Sequence, residues 1–167
     1  RVLERVTAPD VSTFFERIHR EEGIDIRTGA KVAALVGDDC VREVTLSTGE
    51  SIPTDLVIVG IGVEPRTELA EAAGLTLNDG VVIDEHARTS GPAIVAAGDC
   101  ASKYISRYGR RVRLECVPGA TDQAKLAAAT LCGKSKSAVS LPWFWSDQYD
   151  LKLQIAGLNT GYDEVVL

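Results

Sequence analysis

Methionine is absent from all 167 residues, histidine occurs twice, and aromatic residues make up only 5%. Without methionine, residue 1 is not a translation start, which leads us to expect a piece of a longer protein. The closing Glu164-Val165-Val166-Leu167 reads as a strand in mid-course and points the same way. Cys40, Cys100, Cys116 and Cys132 never come within CxxC spacing, and His19 and His86 lie far apart. A zinc site therefore lacks its paired ligands, and a vicinal redox disulfide lacks its second sulfur. Scattered cysteines fit a reducing compartment, so a cytoplasmic location is expected. Basic residues number 18 against 24 acidic, a net charge of −6. Nucleic acid and anionic membrane surfaces both need a basic face, so neither is expected as a partner. No apolar run approaches the ~20 residues that span a bilayer, and no segment resembles a signal peptide.

The pattern that is present alternates helix and strand signals. Thr7, Pro9 and Asp10 predict a helix start with Thr7 as cap. Val11, Phe14, Phe15 and Ile18 follow on one apolar face, with both Phe expected in the core and His19 on the polar flank. Gly23 is the expected stop. Ile24-Asp25-Ile26 predicts a short strand. Strands over 31–36 and 41–46, joined by a polar turn, predict a small antiparallel insert. Residues 55–60 are apolar on both faces, as in the middle of a parallel sheet covered by helices. A short helix is predicted over 66–73 and a strand over 80–84. Residues 93–99 predict a second doubly buried strand, ending on Gly98-Asp99. Another strand over 110–116 breaks at Pro118-Gly119, before an Ala-rich helix over 120–131. Small polar residues over 133–140 predict a linker, and Leu151, Leu153 and Ile155 a half-buried strand.

Four places carry candidate chemistry. Gly60-Ile61-Gly62-Val63-Glu64-Pro65 follows a predicted buried strand. Glycines there let backbone approach a ligand at the carboxyl edge of a sheet, where open α/β sheets bind. Pro65 stands where a GxGxxG loop needs its third Gly, so this is not a primary phosphate loop, and a plain strand-to-helix connection explains it as well. Asp99 is an acceptor for ligand hydroxyls or a turn residue bonded to local backbone. Glu115 faces a site at the start of the following helix, or pairs with one of Arg107, Arg110, Arg111 and Arg113. Trp143 and Trp145, two apart, share one face of an extended segment, either as core or stacked on a flat ligand.

Four motifs occur in order: Val57-Ile58-Val59-Gly60-Ile61-Gly62-Val63-Glu64-Pro65, Asp84-Glu85-His86-Ala87-Arg88-Thr89-Ser90, Ala97-Gly98-Asp99-Cys100-Ala101, and Pro142-Trp143-Phe144-Trp145-Ser146-Asp147-Gln148-Tyr149-Asp150-Leu151. Across essentially the whole chain they resemble the FAD-dependent ferredoxin and rubredoxin reductases of bacterial oxygenase systems. The resemblance implies an α/β fold: partial Rossmann-like FAD- and NAD(P)-binding domains, a parallel sheet plus an antiparallel insert, and the start of a C-terminal α+β domain. Residues 1–62 would then be the second half of the NAD domain, 63–135 the second segment of the FAD domain, and 136–167 the start of the reductase C-terminal domain. It implies FAD and NAD(H) as cofactors and a [2Fe-2S] ferredoxin or rubredoxin as partner. Asp99, beside Gly98, would bind the FAD ribityl hydroxyls. Trp145 would lie against the isoalloxazine and nicotinamide, Glu115 near the nicotinamide pocket, and the backbone from Cys116 and Val117 onward near the flavin pyrimidine. Gly62, Glu64 and Pro65 would line the nicotinamide nucleotide. The family more often has Ser, Val, Gln, Asn where this chain has Cys116-Val117-Pro118-Gly119, and Pro118 has no N–H to donate. Both pyrophosphate loops are expected in sequence before Arg1, so the alternative is an inactive piece that self-associates as a homodimer.

Overall fold

The computed structural model describes residues 1–137 and 141–166. The last three residues of the expected linker, and Leu167, lie outside the described residues. The chain forms two compact units, 1–62 with the residues from Asn159 onward, and Val63–Leu158.

In the first unit, α1 (Pro9–Glu21) starts with Pro in its first turn, where a missing N–H costs nothing. Ala8, not Thr7, is the N-cap residue, and no side chain caps it. Thr7 is buried instead and donates its hydroxyl to Leu3 O at 3.1 Å. That leaves Ser12 Oγ as the donor in the 3.1 Å Thr7–Ser12 hydrogen bond. The helix ends on Gly23 at φ +86°, with Gly23 N–H bonded to Arg20 O and Ile24 N–H to His19 O, so the left-handed residue closes the last turn. Phe15 is buried, but Phe14 is 41% exposed, turned edge-on to Phe15 with the Arg17 guanidinium over its ring. His19 is half-buried and packs against Phe15.

Strands β1 (Val32–Gly37), β2 (Val41–Leu46) and β3 (Ser51–Pro53) form the antiparallel sheet in chain order. Residues 24–26 and 55–60, expected as strands, join no sheet among the described residues. A doubly buried strand needs neighbours on both edges, and none pairs with 55–60. Leu56, Ile58 and Val59 are therefore exposed, Ile58 by 88%, while Val57 is half-buried. Residues 164–166 are likewise outside any strand.

The second unit opens with α2 (Glu68–Ala72), shorter than expected and ended by Gly74 in the left-handed region. Strands β4 (Val81–Ile83), β5 (Ala101–Ile105) and β6 (Arg110–Arg113) form one sheet. The β4–β5 pairing is parallel and the β5–β6 pairing antiparallel. Residues 93–99 are not a strand: only Val95 bridges to Arg88, and the sheet resumes at Ala101. The Ala-rich helix α3 spans Val117–Leu131, three residues longer at its start than expected, with Pro118 in its first turn. Its Leu126 and Ala127 pack with Ile83, Ala87 and Ala101 as the core. Strands β7 (Trp143–Gln148) and β8 (Leu151–Ala156) make a hairpin whose β7 lies against α3.

Between β4 and the bridge at Val95, the Asp84 carboxylate accepts from the amides of His86 and Arg88, both at 2.8 Å. That fixes a tight loop in which Ala87, fully buried, takes φ +63°. Thr130 on α3 donates to His86 O at 2.5 Å and locks the loop onto the helix.

Candidate cofactor site

Asp99 sits in the turn that leads into β5, not at the end of a buried strand. The turn is fixed from two sides. Gly98 N–H donates to the Oε1 of Gln123 at 2.8 Å, and Gln123 is buried on α3. Asp99 O accepts from Arg113 Nη1 at 3.2 Å. Gly98 takes φ +84°, a region that favours glycine, and a Cβ there would meet only the Ala120 methyl at 3.9 Å. Asp99 itself is exposed, and its carboxylate makes no hydrogen bond or ion pair among the described residues. It is thus an open acceptor on a rigid turn, and the turn-residue alternative, a carboxylate bonded to local backbone, belongs to Asp84.

Arg113 joins Asp99 to Glu115. Its side chain is 8% exposed, and the same Nη1 that reaches Asp99 O also donates to Glu115 Oε1 at 2.8 Å. Its Nε donates to Asp79 Oδ1 at 3.2 Å. Burial by itself lowers the guanidinium pKa, but hydrogen bonds to Glu115 and Asp79, with their charges, hold it above the ordinary arginine value. A buried cation persists only where it is paired, and here two carboxylates and a carbonyl share it. The aliphatic stem passes under Gly80, at φ +110°. A Cβ on Gly80 would fall 3.0 Å from Arg113 Cδ and 2.5 Å from the Cys100 carbonyl oxygen, so only glycine fits.

Cys116 is the N-cap residue of α3, half-buried, with a free thiol. Its carbonyl accepts from Ala120 N–H at 3.0 Å, closing the first turn. No side chain caps the helix. Pro118 supplies no donor, so the open amides are those of Val117, which is exposed, and Gly119. Trp143 and Trp145 stack at 5.2 Å on the outer face of β7, each about 40% exposed. Phe144 is on the half-buried face, opposite Ile155. Core packing of the two indoles is therefore not what the hairpin provides.

Glu64 is exposed and Pro65 half-buried, in the irregular segment ahead of α2. Among the described residues no hydrogen bond or ion pair ties the Glu64 carboxylate to the Asp99 cluster. Gly62 lies in the first unit at φ +95°, against the Arg5 side chain, and is exposed. The structure thus brings together Gly98, Asp99 and Glu115 through α3 and Arg113, and sets Cys116 and Val117 at the start of the same helix. Gln123 and Asp79 were missed from sequence. The signal for Gln123 is a polar residue on the stripe that also carries Leu126, Ala127 and Thr130.

Comparisons with known proteins agree on a relationship along the chain. The profile of the pyridine nucleotide-disulphide oxidoreductase family matches residues 1–124, and a reductase C-terminal profile matches 143–167. Putidaredoxin reductase of Pseudomonas putida is 51% identical over 170 residues, covering 100% of this chain and 40% of the relative. A ferredoxin–NAD(P)(+) reductase of a Sphingomonas species is 44% identical over 168 residues, with 98% and 40% covered. In a crystal structure of the covalent putidaredoxin reductase–putidaredoxin complex, the matching chain superposes with a TM-score of 0.93 at 51% identity, covering 98% of this chain and 40% of that one. The chain thus spans about 40% of the length of the curated relatives it matches.

Proposed function

The chain belongs to the pyridine nucleotide-disulphide oxidoreductases, and from that membership we propose that it is part of an FAD-dependent ferredoxin reductase that passes electrons from NADH through FAD to a [2Fe-2S] ferredoxin or a rubredoxin of an oxygenase system. The reductases to which it is similar are named for a putidaredoxin and a ferredoxin. The observation that carries the reading is the open Asp99 carboxylate, held on a turn pinned by Gln123 and Arg113. Such a group fits a polyol: it accepts hydroxyl hydrogen bonds without first breaking a protein contact. When bound, FAD supplies the conversion of a two-electron hydride donor into single electrons.

The chain's own residues then bind and orient. Asp99 accepts from the ribityl hydroxyls, beside Gly98, whose missing side chain leaves room for them. The amides of Val117 and Gly119, at the positive end of α3, face an electron-rich ring edge. Pro118 leaves that edge one donor short. Trp145 offers a flat indole to the isoalloxazine and nicotinamide, Glu115 lies by the nicotinamide pocket, and Gly62, Glu64 and Pro65 line the nicotinamide nucleotide. Residues 1–62 would be NAD domain, 63–135 FAD domain, and 136–167 the start of the C-terminal domain. The protein would work in the cytoplasm, where its free cysteines stay reduced. Among the described residues no helix is long and apolar enough to cross a membrane.

In the full-length protein, Asp99→Ala is expected to weaken FAD binding about tenfold, the loss of one or two hydroxyl contacts. Unchanged flavin affinity removes Asp99 from the site.

A second reading concerns the piece in isolation: it self-associates and holds no flavin. The contiguous exposure of Leu56, Ile58, Val59 and Ile61 favours it. The chain, incubated with FAD and desalted, is then colourless and elutes larger than a monomer. A monomer, or retained flavin bands, contradicts this reading.

A further inference from the structure

We propose that Arg113 is a positioning residue of the cofactor site, fixing the Asp99 turn and the Glu115 carboxylate to one another. The inference rests on the proposed flavin role of Asp99 and adds a residue to it.

Three segments distant in sequence converge on this one side chain: the turn at Asp79, the turn at Asp99, and the link from β6 to α3 at Glu115. One nitrogen, Nη1, donates to both Asp99 O and Glu115 Oε1, so these two acceptors lie within two hydrogen-bond lengths of each other. The two residues expected to face the flavin and the nicotinamide therefore share one guanidinium, which ties them to one another. Backbone pairing reinforces this, because Arg113 sits opposite Ser102 in the β5–β6 ladder, three residues beyond Asp99.

The division of labour at the turn is specific. Arg113 takes the Asp99 backbone carbonyl and leaves its carboxylate free. Gln123 takes the amide of Gly98. With both peptide ends fixed, the carboxylate is presented without having to be ordered when a ligand arrives. Arg113 also balances Glu115, so that two acidic groups close together do not repel the same ligand. Lysine cannot do this work: its ammonium is a point donor, whereas the planar fork reaches Asp79 with Nε and the other two acceptors with Nη1. The close pass beneath Gly80 shows how tightly the stem is held.

The test uses the full-length flavoprotein and a double-mutant cycle in FAD affinity, read by flavin fluorescence, with thermal unfolding of the apoprotein as a check on folding. Arg113→Lys keeps the charge and is expected to weaken FAD binding about tenfold. In the Asp99→Ala background the same substitution is expected to change affinity less than about twofold, because Arg113 acts through Asp99. A residue that merely stabilises the fold would lower FAD affinity equally in both backgrounds. If Arg113→Lys does not fold, Asp79→Asn removes only the charge of the clamp's exposed arm, and its expected loss of a few-fold must again vanish with Asp99→Ala. Unchanged affinity in a folded Arg113→Lys protein, or full additivity with Asp99→Ala, overturns the proposal. If Asp99→Ala alone leaves affinity intact, the flavin reading of Asp99 fails first, and the two failures are told apart.

Discussion

The amide of Gly98 donates to the side chain of Gln123 across twenty-five positions of sequence, at 2.8 Å. The contact matters because Gln123 is buried while the turn it holds leads straight to the exposed Asp99. A helix chosen for close packing by its alanines thus carries one buried polar residue, and that residue fixes the candidate site.

Replacing Gln123 by Leu keeps the volume and removes the acceptor. The Gly98 N–H is then left without a partner in a half-buried place, which costs about 1–3 kcal/mol. Urea unfolding reads this directly. A change of less than about 0.5 kcal/mol would mean that water replaces the glutamine at no cost.

Gly80→Ala is expected to destabilise the protein by more than about 2 kcal/mol, because a left-handed φ and a blocked Cβ position add. Gly109 is the comparison. It too is left-handed, at φ +61°, but a Cβ there meets nothing within 4 Å. Gly109→Ala should cost only about 1 kcal/mol. Equal losses would contradict the close pass of the Cys100 carbonyl and the Arg113 stem under Gly80.

The Glu68 carboxyl is held below the usual carboxylate range, first by a hydrogen bond from its own backbone amide at the start of α2 and then by Arg66 at 2.6 Å. A depressed folded pKa stabilises above the unfolded value and loses that contribution as pH falls through the folded value. An NMR titration of Glu68 should show the low pKa. Arg66→Ala should raise it only part of the way back, since the backbone hydrogen bond remains. Full return to the ordinary value would assign the shift to Arg66 alone.

Stacking of Trp143 on Trp145 should give a coupled near-ultraviolet dichroism signal that Trp145→Ala abolishes and Trp145→Phe largely removes. Both rings are about 40% exposed, so Trp145→Ala should cost less than about 2 kcal/mol. In the full-length protein the same substitution should alter the flavin–nicotinamide charge-transfer band. A band unchanged by it would leave Trp145 as a surface ring only.

Periodicity located α1, the β1–β2 pair and β8, and alanine content located α3; that β7 pairs with β8 and turns its two indoles outward was not legible, since the spacing of Trp143 and Trp145 fixes a shared face but not which face. The segments 55–60 and 93–99 read as buried strands and are not strands here. Their composition records neighbours on both sides, and among the described residues those neighbours are missing or reduced to one bridge at Val95. Asp99 and Glu115 stood out by position, but their connection through Arg113 did not. Four arginines lie close together between 107 and 113, and only the β5–β6 register turns Arg113 inward while Arg107 and Arg110 are exposed. Phe14 shows the opposite error: an apolar helix position whose ring meets the buried Phe15 but stays 41% exposed, with an arginine over it.

The central claim is most directly tested by the visible spectrum of the full-length protein before and after NADH, with a [2Fe-2S] ferredoxin as acceptor. The account predicts flavin bands on purification, their bleaching by NADH, and reduction of the ferredoxin. A protein that purifies without flavin and takes none up, or whose flavin NADH does not reduce, would contradict it.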